Sequence, residues 1–257
     1  GLEALWGCGK CLQCFKGFKN MCSDWNHIGI TCNGTFAEYI ALPGELAHKL
    51  PDNVSFIDAA FLEPISLVVR SLEHSKPFVG ETVVILGPGS LGLMHLQAYK
   101  ASGASKVIMI GTSKDEKRLK TAESLGAAAV INSEKQDPVK EVMEITDGQG
   151  VDIVVETASS PEVYKMITEL AAPRGRIVLF GLYPEAVISP LQVLRKGLSI
   201  FGDVALVPRQ FQRAINWVST GKVLVEPIIS RTFKLEEAKD AFDAHYRGEE
   251  VKVVFTV

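Results

Sequence analysis

Two clusters of residues have the types and spacing for chemistry. The first is Cys8, Cys11 and Cys14, closed by Cys22 after seven intervening residues. Four thiolates so spaced can wrap one tetrahedral ion, with Gly7, Gly9 and Gly17 permitting the turns between them. Four thiolates leave no coordination position open for water or substrate, so the zinc they imply is structural. A redox pair and an iron–sulfur cluster are the competing readings of the same spacing. Cys32, the fifth cysteine, is left over as a buried or idle thiol. An odd number bunched into the first 32 residues is a poor disulfide framework.

The second cluster is Gly87-Pro88-Gly89-Ser90-Leu91-Gly92. It follows the aliphatic run Thr82-Val83-Val84-Ile85-Leu86 directly and opens a helical pattern, which is the context a dinucleotide fingerprint requires. Gly87 permits the tight turn, Gly89 lets the backbone approach a pyrophosphate, and Gly92 lets the helix sit close to the strand. The free N–H groups at the helix start, from Ser90 and Leu91, meet the phosphate charge. A plain strand-to-helix turn is the competing reading.

The end of the next strand, Lys106-Val107-Ile108-Met109-Ile110, decides the coenzyme. An acid there, about 20 residues past the glycines, would bind the adenosine ribose hydroxyls and repel a 2′-phosphate. The sequence has Gly111 instead. Thr112 and Ser113 can donate hydrogen bonds to a phosphate, and Lys114 and Arg118 can supply positive charge, so NADP is favoured over NAD. Asp115 and Glu116 lie nearby, and the same lysine and arginine also read as a solvated helix face.

These residues need a scaffold, and the chain alternates as a doubly wound parallel α/β sheet requires. Further strands are expected at 129–131, 152–156, 176–180 and 198–202, with helices at 139–146 and 163–171 between them. That makes six strands, and strands of this kind end at a common edge where a crevice receives the ligand. Ser55 is a plausible N-cap for a helical segment that follows it. A helix over 208–220, then one more helix and a strand over 251–257, complete the chain.

At 257 residues, 47% hydrophobic and 22% charged, the chain can bury a substantial core. A net charge of -3 offers no general field for nucleic acid or an anionic membrane. No apolar run has the length of a membrane span and the N-terminus shows no signal pattern, so the cytoplasm is the default location.

The cysteine spacing, with Asn33-Gly34-Thr35-Phe36-Ala37-Glu38-Tyr39, Lys49-Leu50-Pro51-Asp52-Asn53-Val54-Ser55 and Ile228-Ile229-Ser230-Arg231-Thr232-Phe233, resembles the zinc-containing medium-chain alcohol dehydrogenases, including sorbitol and threonine dehydrogenases. Thr35 stands where that family usually has a second glycine. The resemblance implies a Rossmann domain at 66–205. It also implies part of a β-rich GroES-like catalytic domain with the zinc lobe at 1–65, and a segment at 206–257 that returns to that domain.

Family members carry roughly ninety residues ahead of the zinc lobe, holding the cysteine and His-Glu pair of a catalytic zinc, so an N-terminally truncated dehydrogenase is expected. None of His27, His48, His74, His95 and His245 sits in a Gly-His-Glu setting. Glu63, ahead of Pro64, resembles a further carboxylate at the catalytic zinc, as ligand or bonded to its water; a glutamate at a helix bend is the competing reading.

By the same resemblance, Phe180-Gly181-Leu182 and Asp203-Val204-Ala205 hold the nicotinamide, with Thr157 near the same edge, and Gly111-Thr112-Ser113 is similar to the Gly-Ser-Arg of NADP-dependent members. The arginine with which polyol dehydrogenases often follow the sixth strand is missing, which puts a polyol substrate in doubt. The implied activity is hydride transfer between an alcohol or polyol CH–OH group and a nicotinamide. No turnover is expected from this polypeptide alone, and the resemblance implies a homodimer or homotetramer formed through the sixth strand. A non-catalytic dinucleotide-binding module and a zinc-free quinone reductase relative are the rivals, the clustered cysteines counting against the latter.

Overall fold

The computed structural model describes residues 1–248 and 250–256. The chain divides into two compact units, one of Gly1–Arg70 with the chain from Val204 onward, the other of Ser71–Asp203. The expected boundaries at 65/66 and 205/206 therefore fall at 70/71 and 203/204.

The first unit opens with β1 (Leu5–Trp6), α1 (Leu12–Phe15) and β2 (Asn26–His27), which pairs antiparallel with β1. Helix α2 (Phe56–Ala59) starts from a reciprocal cap. The Ser55 hydroxyl accepts the Asp58 N–H at 3.1 Å, and the Asp58 carboxylate accepts the Ser55 N–H at 3.0 Å. Helix α3 (Leu62–Ser75) buries Leu62, Ile65, Val68 and Val69 on one face, and the unit boundary falls inside it.

The second unit is a six-stranded parallel sheet with α-helical crossovers. Its elements are β3 (Thr82–Leu86), α4 (Ser90–Ala101), β4 (Lys106–Gly111), α5 (Glu116–Ser124), β5 (Ala129–Asn132), α6 (Pro138–Ile145), β6 (Val151–Glu156), α7 (Pro161–Leu170), β7 (Ala171–Leu179), α8 (Pro190–Lys196) and β8 (Ser199–Gly202). The spatial order is β5-β4-β3-β6-β7-β8, so the order reverses at β3 and β6.

Both faces are covered, which is why the strands read as unbroken apolar runs. Val84, Leu86, Ile108, Ile110, Val154 and Ile177 pack with Ile167 and Leu170 of α7 and Val142 of α6. Val83, Ile85, Met109 and Val155, on the other face, are equally buried. Each such side chain contributes about 1.5–3 kcal/mol relative to exposure. Asp137 and Ser160 cap α6 and α7, each with proline at the first helical position.

The helix expected to reach residue 171 stops at Leu170, and β7 starts five residues earlier than residue 176. Ala171 is already extended (φ -72, ψ 134) and pairs with Val151, and the register shifts before Ile153 meets Arg176. The intervening Pro173, with no N–H, and Arg174, at φ 66, form the irregularity. β8 at the sheet edge exposes Ser199 and Ile200.

The chain then returns to the first unit through α9 (Pro208–Ser219), β9 (Arg231–Lys234), α10 (Ala238–Tyr246) and β10 (Val253–Thr256). β9 pairs parallel with β10; the sequence pattern had not marked it as a strand. Val257, the last residue of the expected final strand, lies outside the described residues.

Candidate functional site

The Gly87–Gly92 turn is built as a phosphate-binding turn must be. Gly87 has φ +104, and a Cβ there would lie 2.9 Å from Ala158 N. A Cβ on Gly92 would collide with Gly87 O, whereas one on Gly89 would meet nothing within 4 Å. The turn is therefore closed on the strand side and open at Gly89. Helix α4 begins there with no side-chain cap, so the N–H groups of Ser90, Leu91 and Gly92 have no intrahelical acceptor. An open backbone against an uncapped twelve-residue helix fits a pyrophosphate. Thr157 steadies this turn from β6: its Oγ1 lies 2.8 Å from Leu86 O and 3.0 Å from Gly87 O.

At the end of β4, a Cβ on Gly111 would lie 2.8 Å from Pro88 Cγ, so no acid fits at the position where one would read the ribose. The Thr112 hydroxyl and N–H both donate to Asp115 Oδ2, at 2.8 and 3.0 Å, and Arg118 Nη1 pairs with Asp115 Oδ1 at 2.9 Å. Thr112 and Arg118, the residues expected at a 2′-phosphate, are thus both engaged by Asp115 in a local cap. Lys114 is exposed and makes no ion pair among the described residues. The Ser113 N–H donates to Glu134 Oε2 at 3.1 Å. Ser113, through its hydroxyl and then its N–H, holds the Glu134 carboxyl below the usual carboxylate range.

The ends of β6 and β7 are tied by Glu156, which is fully buried. Its carboxylate accepts the Ser159 N–H at 2.7 Å, the Gly181 N–H at 3.0 Å and the Tyr164 hydroxyl at 3.1 Å. Burial, and then Glu156, push the Tyr164 hydroxyl up to about 12. Phe180 packs edge-on against the His95 ring at 4.8 Å, and Leu182 stands 89% exposed. Val204 falls in the first unit, where its carbonyl accepts Asn20 Nδ2 at 2.8 Å.

Glu134 and Glu156 were not anticipated. The signal for Glu156 was present, since an acid closing an apolar strand at the ligand edge must find donors. Glu134 carries no such signal, because its role depends on which strand lies beside β4.

In the first unit, Cys8, Cys11, Cys14 and Cys22 bring their sulfurs within 4.8 Å of one another. Cys11 Sγ and Cys22 Sγ lie 3.7 Å apart. Tetrahedral zinc with bonds of about 2.3 Å sets its sulfurs about 3.8 Å apart, so the quartet fits the ion. Cys22 Sγ also accepts the N–H groups of Cys8 and Asp24, each at 3.3 Å, as a thiolate ligand would. A Cβ on Gly7 would come within 2.6 Å of Cys14 Sγ, which explains the glycine. Cys32 stands outside the quartet and is exposed, so of the expected readings, buried or idle, burial is wrong.

Glu63, in the first turn of α3, borders a cavity of about 630 Å³ also lined by His27, Thr35, Leu50, Phe56 and Ala60. Burial raises its carboxyl above the usual range, opposed by His27, Lys252 and Arg70. Among the described residues the cysteine quartet is the only group of three or more metal-ligand side chains, so Glu63 alone does not fit a catalytic zinc.

Residues 90–220 match the family model for the zinc-binding dehydrogenases, and residues 1–52 match that for the alcohol dehydrogenase GroES-like domain. Across 96% of its length the chain is 34% identical to L-threonine 3-dehydrogenase of Pyrococcus furiosus, covering 72% of that protein. It belongs to the zinc-containing medium-chain alcohol dehydrogenases.

Solved dehydrogenase structures give the same fold. A zinc-binding dehydrogenase from Sinorhizobium meliloti bound to NADP superposes with TM-score 0.92 at 31% identity, covering all of this chain and 75% of that one. A protein described as a short chain alcohol dehydrogenase of Escherichia coli, complexed with NADH, gives 0.92 at 28% identity, covering all of this chain and 76% of that one. The six-stranded Rossmann sheet is thus that of a medium-chain dehydrogenase, and its chemistry is oxidoreduction with a nicotinamide coenzyme. No described helix is long and apolar enough to cross a membrane.

Proposed function

We propose that these residues form the coenzyme-binding and structural-zinc portion of an enzyme that transfers hydride between an alcohol or polyol CH–OH group and NADP. The observation that carries the coenzyme site is the open Gly89 backbone against the uncapped start of α4. Ser90, Leu91 and Gly92 offer N–H groups to the pyrophosphate, while Gly87 and Thr157 hold the turn in shape. Phe180, Gly181, Leu182 and Val204 are assigned to the nicotinamide end. When bound, the nicotinamide supplies the hydride acceptor.

NADP is favoured because Gly111 excludes an acid from the customary position and Lys114, next to Ser113, makes no ion pair among the described residues. Cys8, Cys11, Cys14 and Cys22 hold the structural zinc, and such thiols suit a reducing cytoplasm. Glu63 is assigned to the catalytic metal site, but its isolation supports a second reading: this polypeptide binds coenzyme and turns over no alcohol by itself.

Fluorescence titration of the purified chain with NADPH and NADH tests the proposal. Tighter binding of NADPH supports it, tighter binding of NADH removes the NADP assignment, and binding of neither removes the coenzyme site. Alcohol oxidation by the purified chain would overturn the second reading.

A further inference from the structure

The carboxylate of Glu134 lies just past the end of β4, and nothing in the strand pattern called for it. An acid cannot enter at residue 111, because its Cβ would press on Pro88. The neighbouring strand β5 delivers one instead: Glu134 follows its last residue, Asn132, by two positions and reaches back to the Ser113 N–H at 3.1 Å.

The two carboxylates here are held very differently. Asp115 takes three donors, from Thr112 N, Thr112 Oγ1 and Arg118 Nη1, and is fixed at the start of α5. Glu134 is exposed and is held by Ser113, through its hydroxyl and its N–H, with Lys114 as its nearby cation. Asp115 is therefore structural, and Glu134 is displaceable.

We propose that Glu134 is the residue that sets the affinity of this chain for the 2′-phosphate of NADP, its carboxylate resting on the Ser113 N–H that the phosphate would take. This rests on the coenzyme reading above. The Ser113 N–H and the Lys114 ammonium are an anion position already filled from within the chain. A 2′-phosphate must displace Glu134 and then bear its repulsion, whereas the 2′-hydroxyl of NAD can donate to the same carboxylate. Glu134 thus narrows a preference that Gly111 and Lys114 would otherwise give to NADP.

The decisive variant is Glu134→Gln, whose side-chain oxygen can still accept from Ser113 and keep the loop in place while the charge is gone. Fluorescence titration of the purified chain should show NADPH binding about tenfold tighter in Glu134→Gln, with NADH binding unchanged or slightly weaker. Glu116→Gln, which removes an equal charge from the exposed face of α5, should leave both affinities within twofold of wild type. Competition by 2′,5′-ADP against ADP reads the same phosphate without the nicotinamide, and should shift in parallel with NADPH.

If Glu134→Gln leaves NADPH and 2′,5′-ADP binding unchanged, or if Glu116→Gln matches it, the assignment to Glu134 is overturned. The NADP reading is judged separately, on the wild-type preference. A wild type that favours NADH, with Glu134→Gln shifting it towards NADPH, would overturn that reading and uphold Glu134 as the discriminating residue.

Discussion

The buried carboxylate of Glu156 accepts the Gly181 N–H at 3.0 Å, tying the end of β6 to the loop that follows β7. A Cβ on Gly181 would lie 2.6 Å from Glu156 Oε2, so glycine and acid fit each other closely. Glu156→Gln turns one acceptor into an amide donor facing N–H groups. The expected cost is about 1–3 kcal/mol of stability, measured by urea denaturation. A loss under about 0.5 kcal/mol would show that this carboxylate is not what holds the loop.

Gly89 and Gly92 separate two roles within one motif. Gly92→Ala drives a Cβ into Gly87 O and should destabilise the coenzyme unit by about 1–3 kcal/mol, seen as a lowered Tm. Gly89→Ala places its Cβ in open space, so the protein should fold as wild type and bind NADPH and NADH at least tenfold more weakly. Unimpaired binding by a folded Gly89→Ala chain would move the pyrophosphate away from this turn.

The cysteine quartet should hold about one zinc per chain, read by elemental analysis. Cys11→Ser should lose that zinc and soften the first unit, while Cys32→Ser should keep it. Retention of full zinc in Cys11→Ser would rule out the four-sulfur site.

Strand β8 exposes Ser199 and Ile200 at the sheet edge. Pairing of this edge with a second copy is the proposed route to a dimer. Light scattering should find a dimer or larger species in the wild type and a shift towards monomer in Ile200→Lys. A monomeric wild type would dispose of the idea.

The sheet was legible because a strand buried on both faces leaves an unbroken apolar run, as in Thr82–Leu86 and Val151–Glu156. The zinc lobe was legible because four sulfurs on one ion impose their own spacing. What sequence could not show were relations set across strands. Ala171 pairs early because Val151 lies beside it, Glu134 matters because β5 neighbours β4, and Thr112 and Arg118 are engaged because Asp115 turns back on them. β9 escaped notice because only one of its four residues, Phe233, is buried.

The division of the chain also sets an order of assembly. The coenzyme unit is one uninterrupted stretch, Ser71–Asp203, whose strands pair with partners already synthesised. The other unit needs residues from both sides of that stretch, including α9, β9 and β10. During translation the nucleotide fold is complete when residue 203 has left the ribosome, while the zinc-bearing unit waits for the residues from Val204 onward. A chain stopped near residue 203 would leave a complete six-stranded sheet joined to a unit that lacks α9, β9 and β10.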